Sequence, residues 1–338
     1  MENYKHFIAL EWAKANMAIA RMTGKSDKIG IIDVPSDLES LKIYLKKLVG
    51  SKVLTFEETT TSQWLYTELK HYVDKIIICD PYRNKLLKDG PKTDKADAKK
   101  LVMLLRAGFL KEVYHSGEEF LKLRKIVSGY EDLVKSGVRL KNQKSCFLRG
   151  EGKEAEDEVT DRDLKFVLEG VNKGIDNYEA EKERYEKLFR QLGKKHSAIK
   201  NQESIDGIGF INSVKIVARV VNAERFKEKT DYMIYCGLID YDEISGGNSY
   251  GKREARYCRQ LKSVYKTAAL AAIGNDNYFN DYYEHLINER KFPEYQARHA
   301  VARKIASVSY GVMKSGKKFN PIRRSKLENN NKKITTVL

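Results

Sequence analysis

The chain has 338 residues, of which 63 are Lys or Arg and 47 are Asp or Glu, so its formal net charge is +16. This length allows two or three domains, and the charge favours an anionic partner such as nucleic acid over a surface that is basic for solubility alone. The four cysteines and six histidines show no zinc-binding or disulfide spacing. Because no signal peptide or membrane-length apolar run is evident, we expect a soluble, cytoplasmic protein that does not bind membranes.

The first third of the chain alternates strand-like and helix-like apolar runs. Three strand-length runs lead, followed by helix, strand, helix, strand and helix, which predicts an α/β domain over residues 1–115. The runs are 7–10, 17–22, 28–34, 36–48, 53–56, 64–69, 76–79 and the helix from residue 94. This order is similar to that of a ribonuclease-H-like (RuvC-like) fold. A basic loop containing Arg83 and Lys92 precedes the last helix.

Two aspartates begin the last helix of this region, directly after a Gly-Pro pair that marks a loop ending. Asp94 and Asp97 are three residues apart, so both carboxylates lie on one helix face. The simpler interpretation is that Asp94 caps the helix and Asp97 favours its positive end. In a ribonuclease-H-like order, however, acidic residues also stand on the first strand and at the end of the fourth, where this chain has Glu11 and Glu57. We expect these four carboxylates to hold Mg²⁺ or Mn²⁺, with Glu58 as the alternative to Glu57.

A charged middle segment, residues 116–200, carries apolar residues at helical spacing. The pattern predicts two long helices with residues 151–161 at their connection. Because long helices usually need tertiary packing, we interpret the segment as a coiled-coil-like hairpin or oligomer arm. An exposed charged helix without a partner is the alternative.

The last domain, residues 201–316, is predicted to be mainly helical and to bind nucleic acid. Gly207 and Gly209 precede an apolar helix, where backbone N–H groups face a phosphate in a helix-hairpin-helix grip, although a plain tight turn is almost as plausible. A loop at 243–253 combines Ser245 and Ser249 with glycines and cations, which is also typical of a surface turn. The expected nucleic-acid contacts here are Gly207, Gly209, Lys252, Arg253, Arg259, Lys262, Arg303 and Lys304. Residues 317–338 form a basic, flexible tail.

An ordered set of short motifs resembles the DEDD transposases of the insertion-sequence 110 family, which include the pilin-gene inversion recombinases. The motifs are Phe56-Glu57-Glu58-Thr59, Lys92-Thr93-Asp94-Lys95-Ala96-Asp97-Ala98, Asp206-Gly207-Ile208-Gly209, Tyr235-Cys236-Gly237-Leu238, Ser245-Gly246 and Ala300-Val301-Ala302-Arg303-Lys304. The resemblance implies a RuvC-like domain with metal ligands at Glu11, Glu57, Asp94 and Asp97, a coiled-coil segment, and a transposase domain with a nucleophilic serine at Ser245. The family usually has Asp at the position of Glu11.

The resemblance also implies an activity and a set of partners. We expect a mobile-element recombinase, in a prokaryotic cytoplasm and on the nucleoid when bound, that acts on donor and target duplex DNA under the guidance of a structured RNA. We also expect a dimer or tetramer. Two alternatives remain open: a metal-dependent junction-resolving nuclease in which water attacks, and a non-catalytic nucleic-acid-binding protein domesticated from a transposase.

Overall fold

The computed structural model describes residues 4–82, 93–115, 117–253 and 255–321, without the side chains of Glu118 and Arg253. The chain divides into two compact units, Met1–His115 and Ser116–Leu338. The basic-loop residues Arg83 and Lys92, and the predicted tail from residue 322 onward, lie outside the described residues. None of the described helices is both long and apolar enough to cross a membrane.

A five-stranded mixed sheet with helices forms the first unit, which confirms the predicted α/β character and the order of elements. The strands are β1 (His6–Trp12), β2 (Asn16–Thr23), β3 (Ser26–Pro35), β4 (Lys52–Glu57) and β5 (Lys75–Cys79). They lie in the order β3-β2-β1-β4-β5, with β1, β4 and β5 parallel and β2 antiparallel to both of its neighbours. The helices are α1 (Leu38–Lys47), α2 (Ser62–Leu69) and α3 (Asp94–Ala107).

Both faces of the sheet are covered, because successive strand residues point to opposite sides. Ile8, Leu10 and Leu54 pack in one cluster with residues of α1 and α2. Phe7, Ala9 and other residues of the opposite face pack in a second cluster with the buried side of α3. Small alanines on β1 and β2 therefore let α3 approach the sheet closely.

The start of α3 differs from the simpler interpretation of the sequence. Thr93 is the N-cap, and its hydroxyl accepts a hydrogen bond from the Ala96 N–H at 3.2 Å. Asp94 is the first helical residue, so the interpretation of Asp94 as the cap was wrong. The helix ends at Gly108, whose φ of 79° is the left-handed conformation that terminates helices readily. Both aspartates are consequently left in the first turn with their carboxylates uncommitted to capping.

Two long antiparallel helices begin the second unit, as the spacing of apolar residues predicted. They are α4 (Glu118–Gly150) and α5 (Arg162–Gly193), and a loop with a short 3₁₀ turn at Glu156–Glu158 connects them. Glycines let the helices approach: a Cβ on Gly137 would lie 2.4 Å from Cδ2 of Tyr178. Lys141 and Glu179 form an ion pair of 2.5 Å across the same interface.

The rest of the second unit is mostly helical, as predicted. Its helices are α6 (Ser197–Glu203), α7 (Phe210–Val220), α8 (Lys229–Tyr235), α9 (Arg259–Ile273), α10 (Tyr278–Glu284), a π-helical turn (His285–Glu289) and α11 (Glu294–Ser315). Fully buried aromatic residues, among them Tyr232, Tyr265 and Phe279, fill the centre of this core.

The segment predicted as a loop at 243–253 is instead most of a two-stranded hairpin, β6 (Tyr241–Ser245) and β7 (Asn248–Arg253). Gly246 and Gly247 connect the strands with φ of 57° and 81°. Two central residues with positive φ are what a tight type I′ hairpin turn requires. The loop prediction was wrong because every residue from 241 to 250 is exposed, so no buried alternation marks the strands in the sequence.

Candidate catalytic and nucleic-acid sites

Two of the predicted metal ligands lie on the same face of adjacent parallel strands. Ala9 of β1 pairs with Thr55 of β4, and Glu11 and Glu57 lie two residues beyond this pair on their respective strands. A step of two residues returns to the same face, so both glutamates lie on the α3 side of the sheet. Each is half-buried. Glu58 is exposed beyond the end of β4, and its N–H donates to the Cys79 carbonyl at 2.9 Å.

The first turn of α3 lies over the same side of the sheet. Ala98 belongs to one packed cluster with Ala9 and Ala18. The Lys95 ammonium lies 3.1 Å from the carboxylate of Asp33. Ala18 pairs with Glu11 on one side and with Asp33 on the other, so α3 begins near the strand row that contains Glu11.

The aspartates of that turn differ in exposure and have their backbone held in place. Asp94 is exposed and Asp97 is half-buried. The Asp97 N–H donates to the Thr93 carbonyl at 2.9 Å. The packing of α3 on the sheet therefore determines where the carboxylates of Asp94 and Asp97 lie.

The four carboxylates fit a hard divalent cation in donor chemistry, since Mg²⁺ takes oxygen ligands. The side chains do not, however, form a complete metal site. Among the described residues, no group of three or more His, Cys, Asp or Glu side chains lies close enough together to hold one ion. The structure therefore places Glu11 and Glu57 on neighbouring strands and α3 on their face, without a closed ligand shell.

One further carboxylate lies at this edge of the sheet, that of Asp80, which was not among the predicted ligands. Asp80 directly follows β5 and is 7% exposed. Its neighbour Cys79 pairs with Glu57. The Asp80 carboxylate accepts a hydrogen bond from the Tyr82 N–H at 2.9 Å, which is the local turn that an Asp-Pro pair favours. Burial of this carboxylate at the end of β5 is a tertiary feature with no signal in the sequence.

The candidate nucleophile Ser245 is the last residue of β6, immediately before the Gly-Gly turn. It pairs with Asn248, whereas Ile244 pairs with Ser249. Paired residues share a face and successive residues alternate, so Ser245 and Ser249 lie on opposite faces of the hairpin. Ser245 is exposed, which leaves its hydroxyl accessible to a large substrate such as DNA.

The cation expected beside Ser245 lies farther from the turn of the hairpin than Ser245 does. Lys252 pairs with Asp242, and Asp242 is two residues from Ile244. The register shifts between the Asp242–Lys252 and Ile244–Ser249 pairs, so strand alternation does not assign Lys252 to the face of either serine. The side chain of Arg253 lies outside the described residues.

The two glycines before α7 have different surroundings. A Cβ on Gly207 would lie 2.2 Å from the Ala268 carbonyl oxygen of α9, and its φ is 84°. Close packing therefore explains the glycine at 207 without a ligand. Gly209 is the N-cap of α7, and a Cβ there would meet nothing within 4 Å. Of the two, Gly209 is the one with open space beside it.

Basic residues gather where α9 and α11 pack together. Arg259, Lys266 and Arg303 are exposed, whereas Lys262 and Lys304 are half-buried. Partial desolvation lowers the pKa of His299, whose side chain is exposed, and the nearby cations Lys266, Arg303 and Lys262 lower it further. Lys262 and Lys266 of α9 and Arg303 of α11 therefore lie near one imidazole, which was not among the predicted site residues.

Among the described residues, Lys304 is positioned by two aromatic rings and has no carboxylate partner. Its ammonium lies 5.8 Å from the ring centroid of Tyr278 and 5.7 Å from that of Tyr282. Such cation–π contacts hold a lysine in place without neutralising its charge. The charge of Lys304 thus adds to the basic surface of α9 and α11.

Two family models match the chain and together cover about two thirds of it. A transposase model of the DEDD group of IS110 elements matches residues 8–151, which contain Glu11, Glu57, Asp94 and Asp97. A second model, described as transposase of the IS116/IS110/IS902 family, matches residues 200–284, which contain Ser245. No curated protein matches the chain. The chain therefore belongs to the IS110 family of DEDD transposases and is a DNA transposase.

Proposed function

We propose that this transposase cuts and rejoins DNA through a covalent phosphoserine link at Ser245, with a divalent cation held by Glu11, Glu57, Asp94 and Asp97. The observation that carries the proposal is that Glu11 and Glu57 lie on one face of neighbouring strands, the face on which α3 packs. The strand order β3-β2-β1-β4-β5 with an antiparallel β2 supports a ribonuclease-H-like (RuvC-like) fold for this unit.

The chemical step conserves the number of phosphodiester bonds. The Ser245 oxygen attacks phosphorus, an O–P bond forms, and the bond to the leaving strand breaks. The serine proton passes to a base and the leaving oxygen gains a proton. A hydroxyl of a second strand then attacks the same phosphorus and releases Ser245. Because each bond broken is replaced by a similar one, the exchange needs no nucleotide cofactor.

The protein supplies a nucleophile that is weak at neutral pH and therefore needs activation. A Mg²⁺ or Mn²⁺ ion, when bound by the carboxylates, would polarise the phosphoryl oxygens and offset the charge that develops on them. The exposed hairpin presents Ser245 to a duplex, and the cations of α9 and α11 are suited to hold the backbone phosphates of that duplex.

We also propose a structured guide RNA and self-association as parts of the function. The net charge of +16 supports binding of a second nucleic acid in addition to DNA. The hairpin of α4 and α5 exposes Val138, Phe166 and Val167. Exposed apolar side chains on a long helical pair support a coiled-coil-like arm that assembles a dimer or tetramer.

The deciding experiment is capture of the covalent intermediate. The purified protein with its copurifying RNA is incubated with donor and target DNA and Mg²⁺, denatured, digested, and analysed by mass spectrometry. A nucleotide attached to Ser245 is the expected result. DNA cleavage without any adduct would indicate a nuclease in which water attacks. Neither cleavage nor adduct would indicate a non-catalytic binding protein. Sequencing of the copurified RNA tests the guide, and its absence would contradict that part of the proposal.

A further inference from the structure

A basic concavity lies on the first unit, on the side of the sheet away from α3. It has a volume of about 660 Å³ and is lined by residues of α1, α2 and the start of β4. The helices α1 and α2 pack on the sheet face that carries Ile8 and Leu10, whereas Glu11 and Glu57 lie on the opposite face. The concavity is therefore separate from the acidic edge.

Its charges are only partly neutralised. The lining includes Lys42, Lys46 and Lys52 together with Glu68. Lys42 is paired with two carboxylates, Glu39 at 3.0 Å and Glu68 at 2.8 Å. Within the described part of the chain, neither Lys46 nor Lys52 has an ion-pair partner. The two of them therefore leave a local positive charge available to an anion.

The two unneutralised lysines are held by neutral groups. The Lys46 ammonium lies 5.3 Å from the centroid of the Tyr72 ring. The Lys52 ammonium donates a hydrogen bond to the Leu48 carbonyl at 3.0 Å. Each ammonium has three donors, so each can still donate to a phosphate. The exposed imidazole of His71 lines the same concavity.

We propose that this concavity, defined by Lys46, Lys52, His71 and Tyr72 and here named the α1–α2 pocket, binds the phosphodiester backbone of a nucleic-acid strand. Two ammonium groups suit the anionic oxygens of a phosphate. An aromatic ring beside them is the combination found where single strands are bound. An open concavity admits a continuous polymer, whereas an enclosed one would select a small molecule.

The bound strand is distinct from the one that is cut. Lys52 begins β4 and Glu57 ends it, so the two positions are separated by roughly 17 Å at about 3.3 Å per residue. The proposal rests on the proposed function for the identity of the polymer. The α1–α2 pocket would hold a guide RNA or a displaced DNA strand while the acidic edge acts on another phosphate.

The test compares two double variants of equal charge change in the full-length protein. Lys46→Gln with Lys52→Gln removes the unneutralised charges of the pocket. Lys25→Gln with Lys28→Gln removes two exposed charges around the β2–β3 turn of the same unit. Affinity for labelled single-stranded RNA, its DNA counterpart and duplex DNA is measured against salt concentration, in EDTA so that no chemistry occurs.

We expect the pocket variant to lower the slope of log affinity against log salt by about 1.4 for single strands, because each phosphate contact contributes about 0.7. The control variant should keep the slope of the parent protein. A drop confined to RNA identifies a guide strand as the occupant, and a drop confined to DNA identifies a displaced strand. Equal slopes for pocket variant, control and parent overturn the proposal.

Two further measurements keep the outcomes separable. The thermal unfolding midpoint of both double variants shows whether a loss of binding comes from a loss of folding, and the single variant Lys46→Glu repeats the test without touching the Lys52 hydrogen bond. Adduct formation at Ser245 is measured separately on the same proteins, with Mg²⁺ in place of EDTA. Loss of slope with an intact adduct supports the pocket, whereas absence of the adduct in the parent protein contradicts only the proposed function.

Discussion

Ser245 and Ser249 lie on opposite faces of the β6–β7 hairpin, because Ser245 pairs with Asn248 while Ser249 pairs with Ile244. A phosphate that approaches one face of a two-stranded ribbon is out of reach of a short hydroxyl on the other. Only one of the two serines can therefore serve a given substrate pose. The geometry of the hairpin therefore distinguishes Ser245 from Ser249 as the candidate nucleophile for a given substrate pose.

Ser245→Ala should abolish strand exchange and the trapped protein–DNA adduct, while nucleic-acid binding stays within about twofold of the parent because the change removes one exposed hydroxyl. Ser249→Ala is the matched control on the opposite face and should retain the adduct. Adduct yield on denaturing gels and affinity by anisotropy measure both effects. Loss of the adduct in Ser249→Ala but not in Ser245→Ala would show that the nucleophile is the other serine.

Glu11 should remain a metal ligand although its carboxylate is one methylene farther from the backbone than the usual aspartate. Glu11→Gln leaves the cation under-neutralised, and we expect recombination to fall on the order of 10²-fold, the size of loss that a misplaced catalytic group produces. Glu11→Asp should keep at least part of the activity. Recombination is measured with Mg²⁺ and with Mn²⁺.

The exposed neighbour Glu58 provides the control for that prediction. Glu58→Gln removes the same charge just beyond the end of β4 and should recombine like the parent. Parental activity in Glu11→Gln would remove Glu11 from the site. Activity in Glu11→Asp combined with an inert parent would show that the natural chain is a decayed enzyme.

A buried hydrogen-bond chain stabilises the second unit. The Ser309 hydroxyl donates to the Gln202 side-chain oxygen at 2.6 Å, and the Gln202 amide donates to the Ser309 carbonyl at 3.0 Å. Since Ser309 uses its only proton there, the Tyr265 hydroxyl must donate to Ser309 at 2.7 Å. Tyr232 then donates to Tyr265. Burial raises the pKa of both tyrosines, so both remain neutral donors.

Gln202→Ala should lower the free energy of unfolding by about 2–3 kcal/mol, because it removes two buried hydrogen bonds between Gln202 and Ser309. For a unit of this size the thermal midpoint should fall by about 4–10 °C. Gln296→Ala, on the exposed side of α11, is the control and should leave the midpoint unchanged. Equal midpoints for Gln202→Ala and the parent would show that the chain of hydrogen bonds adds no stability. Differential scanning calorimetry gives both values.

Nucleic-acid affinity should depend on pH through His299. Its pKa is lowered in the free protein by partial desolvation and by Lys266 and Lys262 of α9 and Arg303 of α11, so the neutral form is favoured. A bound phosphate favours the protonated form, and binding therefore takes up a proton. Affinity should rise as the pH falls from about 7.5 to about 6, by at most about tenfold per pH unit.

The same lowered pKa has the opposite consequence for folding. The contribution of neutral His299 to stability is present above the ordinary histidine pKa, and it is lost as the pH falls below that value toward the folded-state pKa. Binding must therefore be measured where the protein stays folded. His299→Gln should remove most of the pH dependence of binding while retaining affinity at about pH 7.5. An unchanged pH dependence in this variant would contradict the role of His299.

Self-association should depend on the exposed apolar residues of the α4–α5 hairpin. Phe166 is 78% exposed, and Phe166→Glu should lower the assembly mass of the nucleic-acid complex measured by light scattering, because a buried unpaired charge opposes association. Val49→Glu, at a residue 75% exposed in the first unit, is the control. A monomeric parent complex, or one whose mass the Phe166 change leaves intact, would exclude the hairpin as the oligomer arm.

The sequence by itself determined the order of elements in the first unit and the two long helices. Buried strands such as 53–56 and apolar helical stripes such as Leu41 and Leu45 produce local periodicities that need no knowledge of distant residues. The family could also be identified from the sequence, because short motifs containing Asp94, Asp97 and Ser245 occur in a fixed order. These features depend on residues that are close together in the chain, so they can be recognised from the spacing of residues in the sequence.

Only the tertiary structure decided how the candidate site residues face one another. Strand register placed Glu57 on the α3 face and left Glu58 exposed beyond the strand end. It also paired Ser245 with Asn248 in a hairpin whose exposed strands gave no periodic signal. The Lys262, Lys266, His299 and Arg303 cluster and the pocket beside Lys46 arise from packing between helices. Such relations depend on register and helix packing, which join residues far apart in the chain and leave no trace in local spacing.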